Sequence, residues 1–462
     1  MSDYSYDLIV IGAGPGGYVS AIRASQVGLN VVVIEKDNPG GVCLNWGCIP
    51  SKSLISQAQK FSTLKDLKAM GINIDTSTFN YETVYKKSRL ATSRLSRGVE
   101  FLLKKNNIEL IKGTAKILDR HTVTVDNDKH MTAKNILIAT GSRPKVIPGL
   151  EFDKVGILSS TEALSLTSLP QSIVIIGAGA IGVEFAYILS SFGVQIHLVE
   201  MLNSILPLED KDVSDILAKA FKKSGVKIYT STKASISEKT ANGYKVTLES
   251  GEQSELLETE KILVAVGRTP NSDQLGLEKL GIKTERGFIE TGDYYETNIP
   301  GIYAIGDVIN TPLLAHVASK EGEIVVTHLA GMNPEKRIDP TLIPSAVYTE
   351  PQIASFGYTE AKAKEAGIPF TVYTFPYRGA GKAVAIEEPD GLVKLVCHEK
   401  THEILGAHIV GKEATELIHE ILLARKGKLL PKDIATMIHA HPTLSEAVME
   451  AARGIEKWAI HG

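Results

Sequence analysis

The sequence predicts an α/β protein: two similar, doubly wound halves with parallel sheets, followed by a separate α+β module. Three observations carry that reading. Residues 7–35, DLIVIGAGPGGYVSAIRASQVGLNVVVIE, and residues 172–200, SIVIIGAGAIGVEFAYILSSFGVQIHLVE, follow one pattern of apolar run, G-x-G-x-x-G, helix-period segment, glycine and a β-branched run closing on Glu. Each half then ends on a similar phrase, KNILIATGSRPKVIPG and KILVAVGRTPN. Beyond about residue 343 the texture changes to short β-rich runs, GLVKLVC and ILGAHIVG, interleaved with helices.

At 462 residues the chain is too long for one core, so three or so domains are expected. Apolar content of 43% and charged content of 22% are those of a soluble globular protein. A net charge of −3 without a dense Lys/Arg run excludes a nucleic-acid footprint. Residues 172–199 are apolar enough to suggest a membrane span, but Glu184 and the glycines divide them into strand, turn, helix and strand, so no membrane partner is expected. The start, MSDYSYDLIVIG, has neither a basic n-region nor a transit pattern, so no cleaved targeting segment is expected. Three cysteines do not make a secreted disulfide framework; they place the chain in a reducing compartment, the cytoplasm, or an organelle matrix had a transit segment been removed.

In chain order, residues 1–148 form the first domain. Gly12 allows the tight turn after the first strand, Gly14 lets backbone approach a pyrophosphate, and Gly17 lets helix and strand pack closely. The pyrophosphate then meets the positive end of the helix dipole. Glu35 lies 23 residues after the first glycine, placed to accept a ribose hydroxyl. With strand before, helix after and the acid at that distance, this is a strong, Rossmann-like dinucleotide fingerprint. An amphipathic stretch (about 50–105) and short β-type runs, ELIKGTAKIL and HTVTV, complete the domain. Residues 149–271 repeat the scheme with Gly177, Gly179, Gly182 and Glu200, again 23 residues apart from first glycine to acid. Residues 272–343 form a central segment in which IYAIGDV delivers Asp307 at the carboxyl end of a strand, a ligand-facing position. Residues 344–462 are the α+β module.

GGVCLNWGCIPSKSL, residues 40–54, holds two of the three cysteines, Cys43 and Cys48. Three readings compete. A metal site wants more ligands, and Cys397 is remote in a strand-like run, so no metal is expected. Two inert core thiols are the second. A redox-active disulfide next to a flavin is the third and the favoured one. On a regular helix, residues i and i+5 sit about 7.5 Å apart along the axis and roughly 140° apart in azimuth. Bridged cysteines need Cα atoms within about 7 Å. The segment LNWG must therefore depart from a helix, and Gly47 makes the departure inexpensive. A helix N-terminus here would favour a thiolate at Cys43 or Cys48. The thiol chemistry needs a base, and among 12 histidines His441, in HAHPTLSEA, stands out because Glu446 follows it. Glu446 has two readings: it fixes and charges the imidazole, or Thr443-x-x-Glu446 is a capping box opening a helix.

GGVCLNWGCIPSKSL, the paired fingerprints, YAIGDV and HPTLSE together resemble the FAD-dependent pyridine nucleotide–disulfide oxidoreductases, in the same order and from about residue 5 to 455. The resemblance implies FAD on the first fingerprint, with Gly12, Gly14, Gly17 and Glu35 at its adenosine and pyrophosphate end. Ala115 of KGTAKI would meet the adenine through its backbone, and Asp307 would hold the ribitol. Leu313, Leu314, Ala315 and His316 would close the flavin site. Lys52 would stand by the flavin, paired with Glu184. NAD would use Gly177, Gly179, Gly182, Glu200 and Gly267. Cys43 would exchange with the substrate and Cys48 would face the flavin. His441 and Glu446 would act across a two-fold axis on the other subunit's cysteines, making the active unit a homodimer and residues 344–462 its dimerisation domain. A cis peptide before Pro442 is also implied.

Within the family the chain is most similar to the branch that oxidises protein-bound dihydrolipoamide to lipoamide with NAD+. That branch implies lipoyl domains of 2-oxo acid dehydrogenase complexes, or of the glycine cleavage system, as partners, with the acyltransferase core a separate chain. Rival expectations are a glutathione-type or mercuric reductase and a purely structural flavoprotein subunit. Glu200-Met201-Leu202-Asn203 has no arginine for a 2′-phosphate, which favours NAD over NADP. KWAIHG at the carboxyl end lacks the further cysteines of a mercuric reductase.

Overall fold

The computed structural model describes residues 4–462. The first half opens with β1 (Tyr6–Ile11), whose LIVI core is buried on both faces, as a central parallel strand requires. α1 (Pro15–Gln26) starts on Gly14 with Pro15 in its first turn, where a missing N–H has no consequence. β2 (Val31–Glu35) follows. Three helices, α2 (Gly41–Trp46), α3 (Cys48–Ala69) and α4 (Tyr81–Lys105), then lead to β3 (Glu109–Lys112). Two short strands, Ala115–Ile117 and Thr122–Val125, fold antiparallel onto the beginning of β4 (Lys129–Ile138). The parallel sheet runs β3-β2-β1-β4, with Val10 opposite both Val33 and Leu137. β5 (Ser142–Pro144) leaves this half.

The second half repeats the plan: β6 (Ser172–Ile176), α5 (Ala180–Ser191), β7 (Gln195–Val199), α6 (Lys211–Lys223), β8 (Lys227–Tyr229) and β9 (Lys261–Val264). Its parallel sheet runs β8-β7-β6-β9, with Ile157–Leu158 on the edge. A three-stranded antiparallel meander over residues 233–259 connects β8 to β9. β10 (Arg268–Pro270) returns and pairs antiparallel with β5, so the two similar closing phrases of the sequence lie side by side. β11 (Ile302–Ala304) then rejoins the first sheet next to β4. After it, α7 (Ala315–Leu329) packs against α1, at a place where a Cβ on Gly16 would fall 3.2 Å from Ala318 Cβ.

The third unit is an antiparallel sheet ordered β12 (Ser345–Val347), β13 (Gln352–Gly357), β16 (Ile404–Gly411), β15 (Leu392–His398), β14 (Phe370–Pro376). α8 (Ala414–Lys426) and α9 (Glu446–Ile455) cover it and close a core of their own. Cys397 is fully buried in β15, where burial pushes its thiol up to about 12. Among the described residues no helix is long and apolar enough to cross a membrane, and no group of His, Cys, Asp or Glu is arranged to hold a metal ion.

Candidate redox site

Both glycine turns have the same geometry. Gly12 and Gly177 sit at φ +103° and +100°, a region that only glycine enters freely, and a Cβ there would fall 2.4 and 2.6 Å from the carbonyl oxygens of Ala139 and Ala265. A Cβ on Gly17 or Gly182 would lie 1.9 Å from the carbonyl oxygen of Gly12 or Gly177. In front of Gly14 and Gly179 nothing stands within 4 Å, and neither α1 nor α5 has a side-chain cap on its first N–H groups. Open space before uncapped donors is what a dinucleotide diphosphate fits. Glu35 Oε2 accepts from Ala13 N at 2.6 Å and Oε1 from Asp37 N at 2.7 Å. Glu200 repeats this with Ala178 N at 2.8 Å and Leu202 N at 2.9 Å. Each acid thus also clamps the turn to its strand end, a structural duty that its spacing did not disclose.

The cysteine segment departs from a helix where geometry demanded it. α2 ends at Trp46, α3 begins at Cys48, and Gly47 between them has φ −151° and ψ −110°. A Cβ on Gly47 would lie 3.1 Å from the Val42 carbonyl oxygen. The segment is pinned to the first turn by Gly40 N donating to Ala13 O at 2.8 Å, and by Gly41, whose Cβ would come 2.7 Å from the Gly14 Cα. Cys43 and Cys48 are free, partly buried thiols close enough to shift each other's titration. Cys48 is held down at about 7, first by the hydrogen bond from Cys43 and, against the opposing effect of burial, by the Lys52 ammonium. The same hydrogen bond, together with burial, pushes Cys43 strongly upward. Of the two thiols, Cys48 therefore carries the thiolate, and it is the one at the start of α3.

Lys52 Nζ donates to both oxygens of Glu184 at 3.0 Å, across 132 residues. Tyr348, at the end of β12, donates its backbone N–H to Glu184 Oε1 at 3.1 Å and places its ring centroid 4.4 Å from Lys52 Nζ. A second network lies at the crossing of β5 and β10. Ser142 Oγ donates to Asp307 Oδ2 at 2.6 Å, and Arg268 Nε donates to Ser142 Oγ at 2.6 Å while sitting 3.5 Å from Asp307. Asp307 follows β11 in a short turn, next to Gly306, whose N–H donates to Glu321 Oε2 at 2.6 Å. Glu321 is fully buried in α7, and burial pushes its carboxyl up to about 7. Tyr348 and Glu321 carried no motif, and Ser142 and Arg268 stood in the two closing phrases without being singled out.

The remaining predicted residues are placed as follows. Ala115 is buried at the start of its strand. Leu313 and Leu314 precede α7, Ala315 begins it, and the His316 ring pairs with the Pro344 carbonyl at 2.9 Å. Gly267 has φ +117° and open space where a Cβ would stand. His441 Nδ1 lies 3.0 Å from Glu446 Oε1, and the peptide bond before Pro442 is cis. Glu446 Oε2 accepts from Thr443 N at 2.8 Å, so both readings of this acid hold in part. The full capping box does not form. The Thr443 hydroxyl turns to Ala440 O instead, and α9 begins only at Glu446. Burial works against it, but the Thr443 N–H and the His441 ring hold the Glu446 carboxyl below its ordinary value. The His441 side chain is 75% exposed on the third unit. No hydrogen bond or ion pair joins it to Cys43 or Cys48 within the chain.

Comparison with known proteins extends this picture. The sequence profile of the pyridine nucleotide–disulphide oxidoreductases matches residues 6–322, and that of the family's dimerisation domain matches residues 343–452. The dihydrolipoyl dehydrogenase of Corynebacterium glutamicum is 44% identical over 97% of this chain and 98% of its own length. One from Bacillus subtilis is 40% identical over 99% of both chains. Among solved structures, LpdA of Mycobacterium tuberculosis aligns with a TM-score of 0.89 at 26% identity, over 97% of this chain and 99% of its own. The HOCl-induced flavoprotein disulfide reductase RclA of Escherichia coli aligns at 0.86 and 27%, with the same coverage.

Proposed function

The chain belongs to the pyridine nucleotide–disulphide oxidoreductases, and on that premise we propose that it oxidises protein-bound dihydrolipoamide to lipoamide with NAD+ as acceptor. The observation that carries this is the thiol pair. Cys43 and Cys48 face each other closely enough for each to set the other's titration, on a segment pinned against the first dinucleotide turn and beside the Lys52–Glu184 pair. We assign residues 1–148 to FAD, 149–271 to NAD, 272–343 to completion of the FAD site, and 344–462 to the homodimer contact.

FAD would rest on Gly12, Gly14, Gly17 and Glu35, with Ala115, Asp307 and Leu313 to His316 along its length and Lys52 at its ring. NAD would rest on Gly177, Gly179, Gly182, Glu200 and Gly267. Bound there, FAD supplies the two-electron carrier between the thiols and NAD+. The work of the chain's own residues begins with the Cys43–Cys48 disulfide. One dihydrolipoamide thiolate attacks the Cys43 sulfur, the bond to Cys48 breaks, and Cys48 leaves as thiolate. The Lys52 ammonium beside Cys48 favours that thiolate, and a stabilised thiolate leaves faster. The second lipoyl thiol attacks the lipoyl sulfur of the mixed disulfide, releasing lipoamide and Cys43. His441, oriented by Glu446, takes the proton. Because His441 is exposed and unconnected to the cysteines of its own chain, it serves those of the other subunit in the homodimer. Lys52 holds positive charge at the thiolate. The partners on this reading are lipoyl domains of a 2-oxo acid dehydrogenase complex or of glycine cleavage, in the cytoplasm.

The test is the initial rate of NAD+ reduction with dihydrolipoamide as sole donor, with NADP+ run alongside. Turnover with NAD+ alone is expected, and Cys43→Ser or Cys48→Ser should reduce it by about a thousandfold or more while FAD stays bound. A yellow, folded protein inert toward dihydrolipoamide would overturn the substrate assignment.

A further inference from the structure

Three segments remote in sequence meet at the Lys52 ammonium. Lys52 stands one turn into α3, Glu184 lies mid-α5, and Tyr348 follows β12 in the third unit. The carboxylate takes one side of the ammonium at 3.0 Å, and the Tyr348 ring lies 4.4 Å away. The same tyrosine's N–H holds one of the two carboxylate oxygens at 3.1 Å. Glu184 is 9% exposed and Lys52 33%, so these partners leave one side of the lysine open. A lysine on a flexible four-carbon stem has other rotamers to take. An aromatic face within about 6 Å is a recognised restraint on such an ammonium.

We propose that Tyr348 is a positioning residue of the redox centre, its ring and its backbone N–H together holding Lys52 and Glu184 in the arrangement that presents the lysine charge to Cys48. This deepens the functional reading above and rests on it for the meaning of the thiol pair. The groups bearing on the Cys48 thiol are Cys43 from α2, Lys52 from its own helix, Glu184 from α5 and Arg268 from β10; Tyr348 itself senses the Cys48 charge. Tyr348 is the contribution of the third unit, which also carries His441. The unit that furnishes the base to the partner's thiols therefore steadies the electrostatics of its own.

The experiment follows thiolate formation at Cys48, by the pH dependence of iodoacetamide alkylation in the dithiol form of the FAD-loaded full chain. It sets the parent against Tyr348→Leu and Tyr348→Phe and adds the flavin midpoint potential as a second readout. Tyr348→Leu should raise the alkylation midpoint by about 0.5–1 pH unit and lower kcat several-fold, with KM for dihydrolipoamide changed less than about twofold. Tyr348→Phe, which keeps ring and backbone, should titrate with the parent. Should Tyr348→Leu fail to fold, a ring-fluorinated phenylalanine at 348 has nearly the same size and a weakened ring quadrupole, and should give the same upward shift. The proposal is overturned if Leu titrates with the parent, if Phe shifts as far as Leu, or if the Leu shift persists in a Lys52→Met background. A parent whose Cys48 titrates as described but which does not turn over dihydrolipoamide would sink the substrate assignment and leave Tyr348's role standing.

Discussion

The two dinucleotide turns share their backbone chemistry and differ in what packs behind them. First and third glycines meet the same carbonyl oxygens at nearly the same distances, and both acids clamp the same two N–H groups. The differences fall on the helix flanks. Four residues past the first glycine, Gly16 admits α7 against α1, while Ile181 fills the corresponding place in α5. Seven residues past it, Val19 stands in one copy and Glu184 in the other, and only the second reaches toward Lys52. The first copy also receives the cysteine segment against its turn through Gly40 and Gly41. A duplicated frame thus leaves its helix flanks free to diverge. Here one flank took up a supporting helix and the other an acid that pairs with Lys52.

The sharpest way to break the comparison is to damage one copy at a time. Gly17→Ala and Gly182→Ala drive a methyl onto a backbone oxygen, an overpacking expected to cost roughly 1–3 kcal/mol or more. Gly17→Ala should purify without bound flavin. Gly182→Ala should stay yellow and lose NADH oxidation by about a hundredfold. Absorbance of the purified proteins and an NADH assay check both, and loss of the same dinucleotide by both variants would refute the assignment of one to each half.

A medium effect tests the asymmetry of the thiols on the first copy. Alkylation needs the thiolate, and Cys48 is held at about 7. In the dithiol form its alkylation should therefore rise through pH 7, well below the ordinary thiol range, while Cys43 stays unreactive until Cys48 is blocked. Peptide mapping after timed alkylation distinguishes the two.

The smallest effect concerns α7, the helix found behind the first copy alone. Glu321 is raised to about 7 by burial. A carboxyl raised in the folded state contributes stability that is fully present below its unfolded value and is lost as pH rises through about 7. Glu321→Gln, which carries no charge at any pH, should gain on the parent between pH 5 and 8, by about 2–4 °C in melting temperature at the upper end. A difference that does not change with pH would show that Glu321 is ionised throughout.

Much of this was legible before any coordinates, for a local reason. Gly12, Gly17, Gly177 and Gly182 are required by contacts within a few residues or with the adjacent strand, and such requirements leave a fixed spacing in the chain. The break at Gly47 was likewise forced by the i to i+5 separation of Cys43 and Cys48, which a regular helix cannot close. Glu446 was only half legible, since one carboxylate can serve a cap and an imidazole, and here it holds Thr443 N with one oxygen and the His441 ring with the other.

What the sequence determined by itself was therefore the two glycine turns and the break between the cysteines, because each leaves a fixed spacing in the chain. What only the tertiary structure decided was which distant residues these frames bring together. Tyr348 meets Glu184 across 164 residues, and Ser142 meets Asp307 across 165. A tyrosine before a threonine, or a serine leaving a strand, is compatible with any number of partners. Long-range pairings of this kind carry no periodicity and no spacing, and they come into being only when separate sheets are packed against one another.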